Sequence, residues 1–262
     1  MSWLTNIFKA KQKVEQVKPI IEHKIKEKAP VVTIDGKIHP ILKPIVINKK
    51  KKYPEYYKDL FVILDNGHGE DTPGKRSPDG SLLEYKYTRE IVKVLDEELT
   101  KCGIPHTILV PETKDISLKE RVARANKIHK EQHALGKVVI LISVHCNAAG
   151  MGEWMKARGW SGWTTKGQTE GDIVANCLYA AAHEILDPKG IKIREDNSDG
   201  DPDWESNFYI IYKSSMPAVL TENFFQDNKE DVKYLLSDEG RKDVVDIHVK
   251  GIQKYADLKF KK

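Results

Sequence analysis

The 262-residue chain has only three cysteines, Cys102, Cys146 and Cys177. They are too few and too scattered for a disulfide framework or a cysteine-built metal site, and all three are expected to be packing thiols. No segment approaches the roughly 20 unbroken apolar residues that a membrane span requires. The opening MSWLTNIFKAKQKVEQ has only a few apolar residues before lysines and acids begin, so it lacks the apolar core of a secretory signal. Arginine is absent from the first 58 residues, and aromatics are not interleaved with the lysines there, which argues against nucleic-acid binding.

Charge is unevenly distributed. Residues 1–58 carry 14 lysines against 5 acidic residues, whereas residues 59–262 carry 29 basic against 34 acidic residues. The basic character belongs to the N-terminal piece, which suits either attraction to an anionic surface through long-range electrostatics or a solvated tether. Within it, Leu4, Ile7, Phe8, Val14, Val17, Ile20 and Ile21 have loosely helical spacing. Asp35-Gly36 between β-branched runs signals a hairpin, and the prolines around it favour edge strands. The lysine run at 49–52 reads as a linker, so the expected division is an extension over residues 1–55 and a catalytic-size domain over 56–262.

From Phe61 onward, apolar strand cores alternate with amphipathic helices, the pattern of an α/β domain. The expectation is a single three-layer domain whose central twisted mixed sheet is flanked by helices. FVILDNGHG, HTILVP, VVILISVHCNAA, FYIIY and AVLTENFF read as strands. LEYKYTREIVKVLDEELTKCG reads as a helix capped by Gly103, and SLKERVARANKIHKEQ as a helix opened by a Ser117/Glu120 capping box. DIVANCLYAAAHEIL and two helices from about Lys229 complete the set.

In open α/β sheets the binding crevice lies beyond the carboxyl ends of the strands, and His68, His145 and Glu222 each follow an apolar run there. Gly67 and Gly69 would allow a tight turn that aims His68 outward. Ser143 and Asn147 share a strand face with His145 and could orient its ring or bind substrate. Two histidines and a carboxylate are a donor set that zinc accepts in catalytic sites. His106, His129, His133, His183 and His248 lack such polar company and read as structural or solvated. Glu84 heads a helix, where a carboxylate is favoured in any case by the helix dipole.

The succession DNGHG, Glu84 opening a long helix, VPETKDISLKERVARAN, ISVHCNAA and PAVLTENFFQDNKEDVKYL resembles the zinc-dependent N-acetylmuramoyl-L-alanine amidase family of cell-wall hydrolases and phage lysins, over about Phe61 to Tyr255. The resemblance implies one Zn²⁺ held by His68, Glu84 and His145, with Glu222 activating water. Glu70, Glu90 and Glu98 are the carboxylates that could be confused with Glu84. Glu70 stands where the family commonly has a second glycine, Asn66 where it often has proline, and Lys114 where arginine is expected. Arg121 matches, and reads as an orienting or packing residue.

The implied substrate is peptidoglycan, and the implied site of action is the cell wall, reached without a signal peptide. Asn147, from the strand end of His145, and Arg158, Trp160 and Trp163 are the candidate substrate contacts, the last three because GEWMKARGWSGWTTKGQ offers aromatic faces for sugar or backbone and cations for stem-peptide carboxylates. At least one of Trp154, Trp160 and Trp163 is expected to be plain core. A monomer is expected. The alternatives are a zinc peptidase or carboxypeptidase of similar architecture, and a non-catalytic cell-wall-binding or virion structural protein.

Overall fold

The computed structural model describes residues 31–34, 37–40 and 52–262. The chain divides into two units, Met1–Lys51 and Lys52–Lys262. In the first, β1 (Val31–Ile34) pairs antiparallel with β2 (Lys37–Pro40), with Ile34 opposite Lys37 across the Asp35-Gly36 connection. The helix expected between Trp3 and Lys28 lies outside the described residues.

In the second unit a short 3₁₀ turn, Glu55–Asp59, leads into β3 (Leu60–Asn66). There follow α1 (Glu84–Cys102), β4 (His106–Ile108), α2 (Leu118–Ala134), β5 (Val138–Asn147), β6 (Ser161–Thr164) and α3 (Glu170–Leu186). The chain ends with β7 (Trp204–Glu205), α4 (Tyr209–Tyr212), β8 (Ala218–Phe225), α5 (Lys229–Leu235) and α6 (Asp238–Phe260). The six strands form one sheet in the order β4-β3-β5-β8-β6-β7. All pairings are parallel except that of β6 with β8, so the sheet is mixed.

Continuous apolar runs in β3, β5 and β8 are buried on both faces because helices cover both. Leu60, Val62, Leu64, Ile140, Ile142, Val144 and Val219 join the core shared with buried residues of α1, α3 and α6. Their alternates Phe61, Ile63, Val139, Leu141 and Leu220 pack with Val122 and Ala125 of α2 and Ile210 and Ile211 of α4. The expected three-layer arrangement results.

Helix ends follow local chemistry. Gly103 closes α1 in the left-handed conformation, φ +72°, as its lack of a Cβ allows. The Ser117 hydroxyl accepts the Glu120 N–H at 3.2 Å. The reciprocal carboxylate capping is present instead at α3, where Asp172 accepts the Thr169 N–H.

FYIIY, expected as a strand, is the short helix α4 with Phe208 at its N-cap. Ile210 and Ile211 are adjacent yet both buried, and so short an apolar run has no periodicity to separate strand from helix. The strands β6 and β7, only four and two residues long, were not expected. Their identity depends on pairing with β8 and with each other.

Candidate metal centre

β3 delivers His68 to the sheet end by an unusual turn. The left-handed conformation falls on His68 itself, φ +60°, and on neither flanking glycine. The glycines supply room instead. A Cβ at Gly67 would lie 2.3 Å from Cε1 of His145, and one at Gly69 would lie 2.0 Å from the backbone nitrogen of Asp115. The non-glycine left-handed turn is strained and is held by charge: the His68 carbonyl accepts from Nη2 of Arg89 at 3.0 Å and Nη2 of Arg121 at 3.1 Å.

Arg121, 2% exposed, is the hub beneath this turn. Its guanidinium pairs with Asp65 at 2.7 Å and Asp115 at 2.8 Å, and donates to the carbonyls of Asn66 and Ile116, each at 2.8 Å. Ser143 donates to the other Asp65 oxygen at 2.6 Å. These bonds leave Arg121 no free face for chemistry and make it a positioning residue. Burial favours protonation of Asp115, but the Arg121 and Thr72 hydrogen bonds outweigh it and hold the carboxyl below its ordinary range.

Glu84 begins α1 and is 1% exposed. Its Oε1 accepts the Cys146 N–H at 2.9 Å and lies 3.2 Å from Nδ1 of His145 and 3.4 Å from Nε2 of His68. The two imidazoles meet edge to face, 4.9 Å between centroids. One potential ligand atom from each of His68, Glu84 and His145 lies within 4.8 Å of the others. Burial opposes ionisation of the Glu84 carboxyl, but the two imidazoles outweigh it and hold its pKa down; burial likewise disfavours the charged His145 imidazole, yet Glu84 lifts its pKa. The second Glu84 oxygen is buried with no hydrogen-bond partner. An enclosed, unsatisfied carboxylate oxygen beside two imidazoles fits a bound cation, so the donor set passes the test that zinc chemistry sets.

Glu222 of β8 stands directly opposite His145 of β5 in the parallel ladder. Immediately beyond it the pairing slips, with two steps along β5 matched by three along β8, and Phe224 takes φ +65°. Such bulges re-aim strand side chains beside functional sites. Burial pushes the Glu222 carboxyl up to about 8, with His145, Lys75 and Arg194 opposing and Glu84 reinforcing the shift. Its Oε2 is enclosed and unpartnered. Below His145 and Glu222, Asn223 donates to the His145 carbonyl at 3.0 Å and accepts the Trp160 indole N–H at 3.0 Å.

A cavity of about 170 Å³ opens on this centre, lined by His68, His145, Asp65, Asp115, Arg121 and Ile210 among others. A larger hollow of about 510 Å³, bordered by Lys166, Asn207 and Tyr212, contains none of the residues of the centre.

The expected substrate contacts fare differently. Trp160 is fully buried against Tyr179, so it supports Asn223 from within and cannot touch a ligand. This is a correction to the expected contact. Arg158 ion-pairs with Glu230 and Asp231 at the start of α5, which ties it to the protein. Asn147 accepts the Ala148 N–H at 2.8 Å, leaving its amide nitrogen available. Trp163 packs between Trp204, tilted to it at 5.5 Å, and Phe208, edge-on at 5.4 Å, and is half-buried. Glu70 is exposed, Glu90 lies within ion-pair distance of Arg241, and Glu98 bonds Lys101, so Glu84 alone of the rival carboxylates reaches the histidines. Sequence reasoning missed Arg89, Arg194 and Asn223. Asn223, in the T-E-N-x-F segment, had the strongest available signal.

Comparison with known proteins gives the family. Residues 62–254 match the family model described as N-acetylmuramoyl-L-alanine amidase. The chain belongs to the N-acetylmuramoyl-L-alanine amidase family. It is 29% identical over 205 residues to the endolysin of Bacillus phage SPP1, covering 77% of this chain and 68% of that protein. Its fold is similar to the crystal structure of an amidase of this name from Clostridium difficile 630, with TM-score 0.65, 24% identity, and coverage of 77% of this chain and 99% of that one. A Nostoc punctiforme amidase gives TM-score 0.62 at 24% identity, covering 75% and 97%. Among the described residues of this amidase no helix is long and apolar enough to cross a membrane.

Proposed function

We propose that this amidase hydrolyses the amide joining N-acetylmuramic acid to L-alanine of peptidoglycan with one zinc ion held by His68, Glu84 and His145, and with Glu222 as general base. The observation that carries the reading is the enclosed Oε2 of Glu84, which no protein donor satisfies although two imidazoles stand within 3.4 Å of its sister oxygen. When bound, zinc supplies Lewis acidity toward the scissile carbonyl and acidifies water toward a pKa of about 7.

The chain's own groups do the rest. Glu222, next to His145 and raised by burial, takes a proton from the attacking water and returns it to the departing alanine amine, a shuttle that favours a carboxyl titrating near neutrality. Arg121 and Arg89 fix His68 from behind, and Asn223 fixes the backbone of His145. Oriented supports of this kind keep ligand geometry from drifting. The free amide nitrogen of Asn147, two residues beyond His145 on β5, is a donor available to a glycan strand or stem peptide.

Similarity to a phage endolysin supports a lysin acting on the bacterial wall; the lysine surplus of the first 58 residues supports residues 1–55 as an electrostatic tether to the anionic envelope. The test is mass spectrometry of purified peptidoglycan after digestion. Free stem peptides that begin with alanine support the reading, whereas peptides cut internally and still attached to the glycan would favour a peptidase.

A further inference from the structure

Away from the histidines, three aspartates converge where α3 meets the loop leading into β7. Asp172 lies in the first turn of α3, Asp203 immediately precedes Trp204, and Asp201 stands two residues before Asp203. One carboxylate oxygen from each lies within 4.8 Å of the others. Asp172, Asp201 and Asp203 are 4%, 8% and 1% exposed.

Each carboxylate spends one oxygen on the protein. Oδ2 of Asp172 accepts the Thr169 N–H, Oδ2 of Asp201 accepts from Nε2 of Gln168 at 3.0 Å, and Oδ2 of Asp203 accepts the Thr164 hydroxyl at 2.5 Å. The remaining oxygen, Oδ1 in all three, is enclosed and receives no donor from the rest of the protein, the one further contact being that between the Asp201 and Asp203 carboxyls. Among the described residues, no lysine, arginine or histidine forms an ion pair with any of them. Three buried like charges without a counter-charge are strongly unfavourable. Burial pushes the Asp203 carboxyl up to about 7 against the Thr164 hydrogen bond, with the charge of Asp201, a hydrogen bond shared with it and the charge of Asp172 reinforcing the rise.

We propose that Asp172, Asp201 and Asp203 form a second metal site, independent of the histidine centre, that takes a hard divalent cation of the calcium class. An all-oxygen donor set selects calcium, magnesium or manganese over zinc, and calcium tolerates the irregular geometry that side chains from a loop and a helix provide. The hydrogen bonds from Thr169, Gln168 and Thr164 hold the carboxylates in place as outer supports do at known metal centres.

The site would fasten the loop that leads into β7. The loop closes on itself through the Asp196 N–H to the Pro202 carbonyl at 3.1 Å. Arg194 lies over the rings of Trp204 and Phe225 at 4.8 and 5.0 Å, and Trp204 packs at a tilt against Trp163. A cation shared by Asp172 of α3 and Asp201 and Asp203 of the loop would therefore tie this aromatic cluster to α3.

The test uses the full zinc-loaded chain and two probes, calcium and terbium. Calcium at about a hundred times its Kd is expected to raise the melting temperature by about 5 to 10 °C. Terbium should emit on tryptophan excitation, through the neighbouring Trp204, and calcium should quench that emission. Asp203→Asn and Asp201→Asn, both checked by circular dichroism, should lose both responses while keeping their zinc. The more exposed Asp201 serves if Asp203→Asn does not fold. The proposal is overturned if the wild type shows neither response with calcium, magnesium or manganese up to about 10 mM, beyond the weak extracellular calcium range. It is equally overturned if a folded Asn variant responds as the wild type does.

Discussion

At Gly67 a methyl group would need the space that the His145 ring fills, 2.3 Å from Cε1. Gly67→Ala must therefore push one imidazole out of the donor set, and it is expected to weaken zinc binding by about 10- to 100-fold, the range seen when ligand support is lost. Zinc titration by calorimetry checks this, and unchanged affinity would show that the two histidines do not share an ion. His145→Ala should lose both zinc and hydrolysis. The strand-end placement of His68 and His145 was legible in the apolar runs before them, whereas Glu84 joined them only through the family resemblance, because a carboxylate opening a helix is favoured in any case. The meaning of the glycines was not legible. Gly67 and Gly69 look like turn formers, whereas the positive φ belongs to His68 and the glycines make way for a ring and a loop that arrive from far along the chain.

Between β8 and α6 a buried histidine links stability to pH. His248 is fully buried, with Nδ1 2.6 Å from the Val244 carbonyl and Nε2 2.9 Å from the Thr221 hydroxyl, and burial lowers its pKa to about 4. The unfolded chain binds this proton near pH 6.5, so the contribution is fully present above that value and is lost as the pH falls toward 4. The loss is about 3 kcal/mol at most. Urea unfolding at pH 7 and pH 5 should show a smaller drop for His248→Gln than for the wild type, and parallel drops would refute the assignment. At this scale α1, α2, α3, β3, β5 and β8 were legible, because their apolar periods are long and their caps are local. The helix α4 and strands β6 and β7 were not, because two to four residues carry no period and their conformation is set by the partner they pair with or pack against. Trp160 was misjudged for a related reason: its place in a Trp/Gly-rich segment gives no sign that its indole serves Asn223 from inside the core.

For the whole molecule, composition separates a lysine-rich extension from a domain with an acidic surplus, and the two compact units, Met1–Lys51 and Lys52–Lys262, accord with that contrast in charge. Deleting residues 1–55 is expected to leave hydrolysis of soluble muropeptides within about twofold and to weaken clearing of intact walls. That difference should shrink as salt rises, since screening shortens electrostatic reach to about 8 Å at physiological ionic strength. Equal clearing by both forms at low salt would remove the tether role. In the proposed mechanism three ligands hold zinc while a separate carboxylate moves the proton. The most direct measurement is zinc content beside initial hydrolysis rate for wild type and Glu222→Ala. One zinc per chain in both, with the rate of the variant down by about 10²- to 10⁴-fold, is the predicted result. Wild-type hydrolysis by the zinc-loaded variant would contradict it.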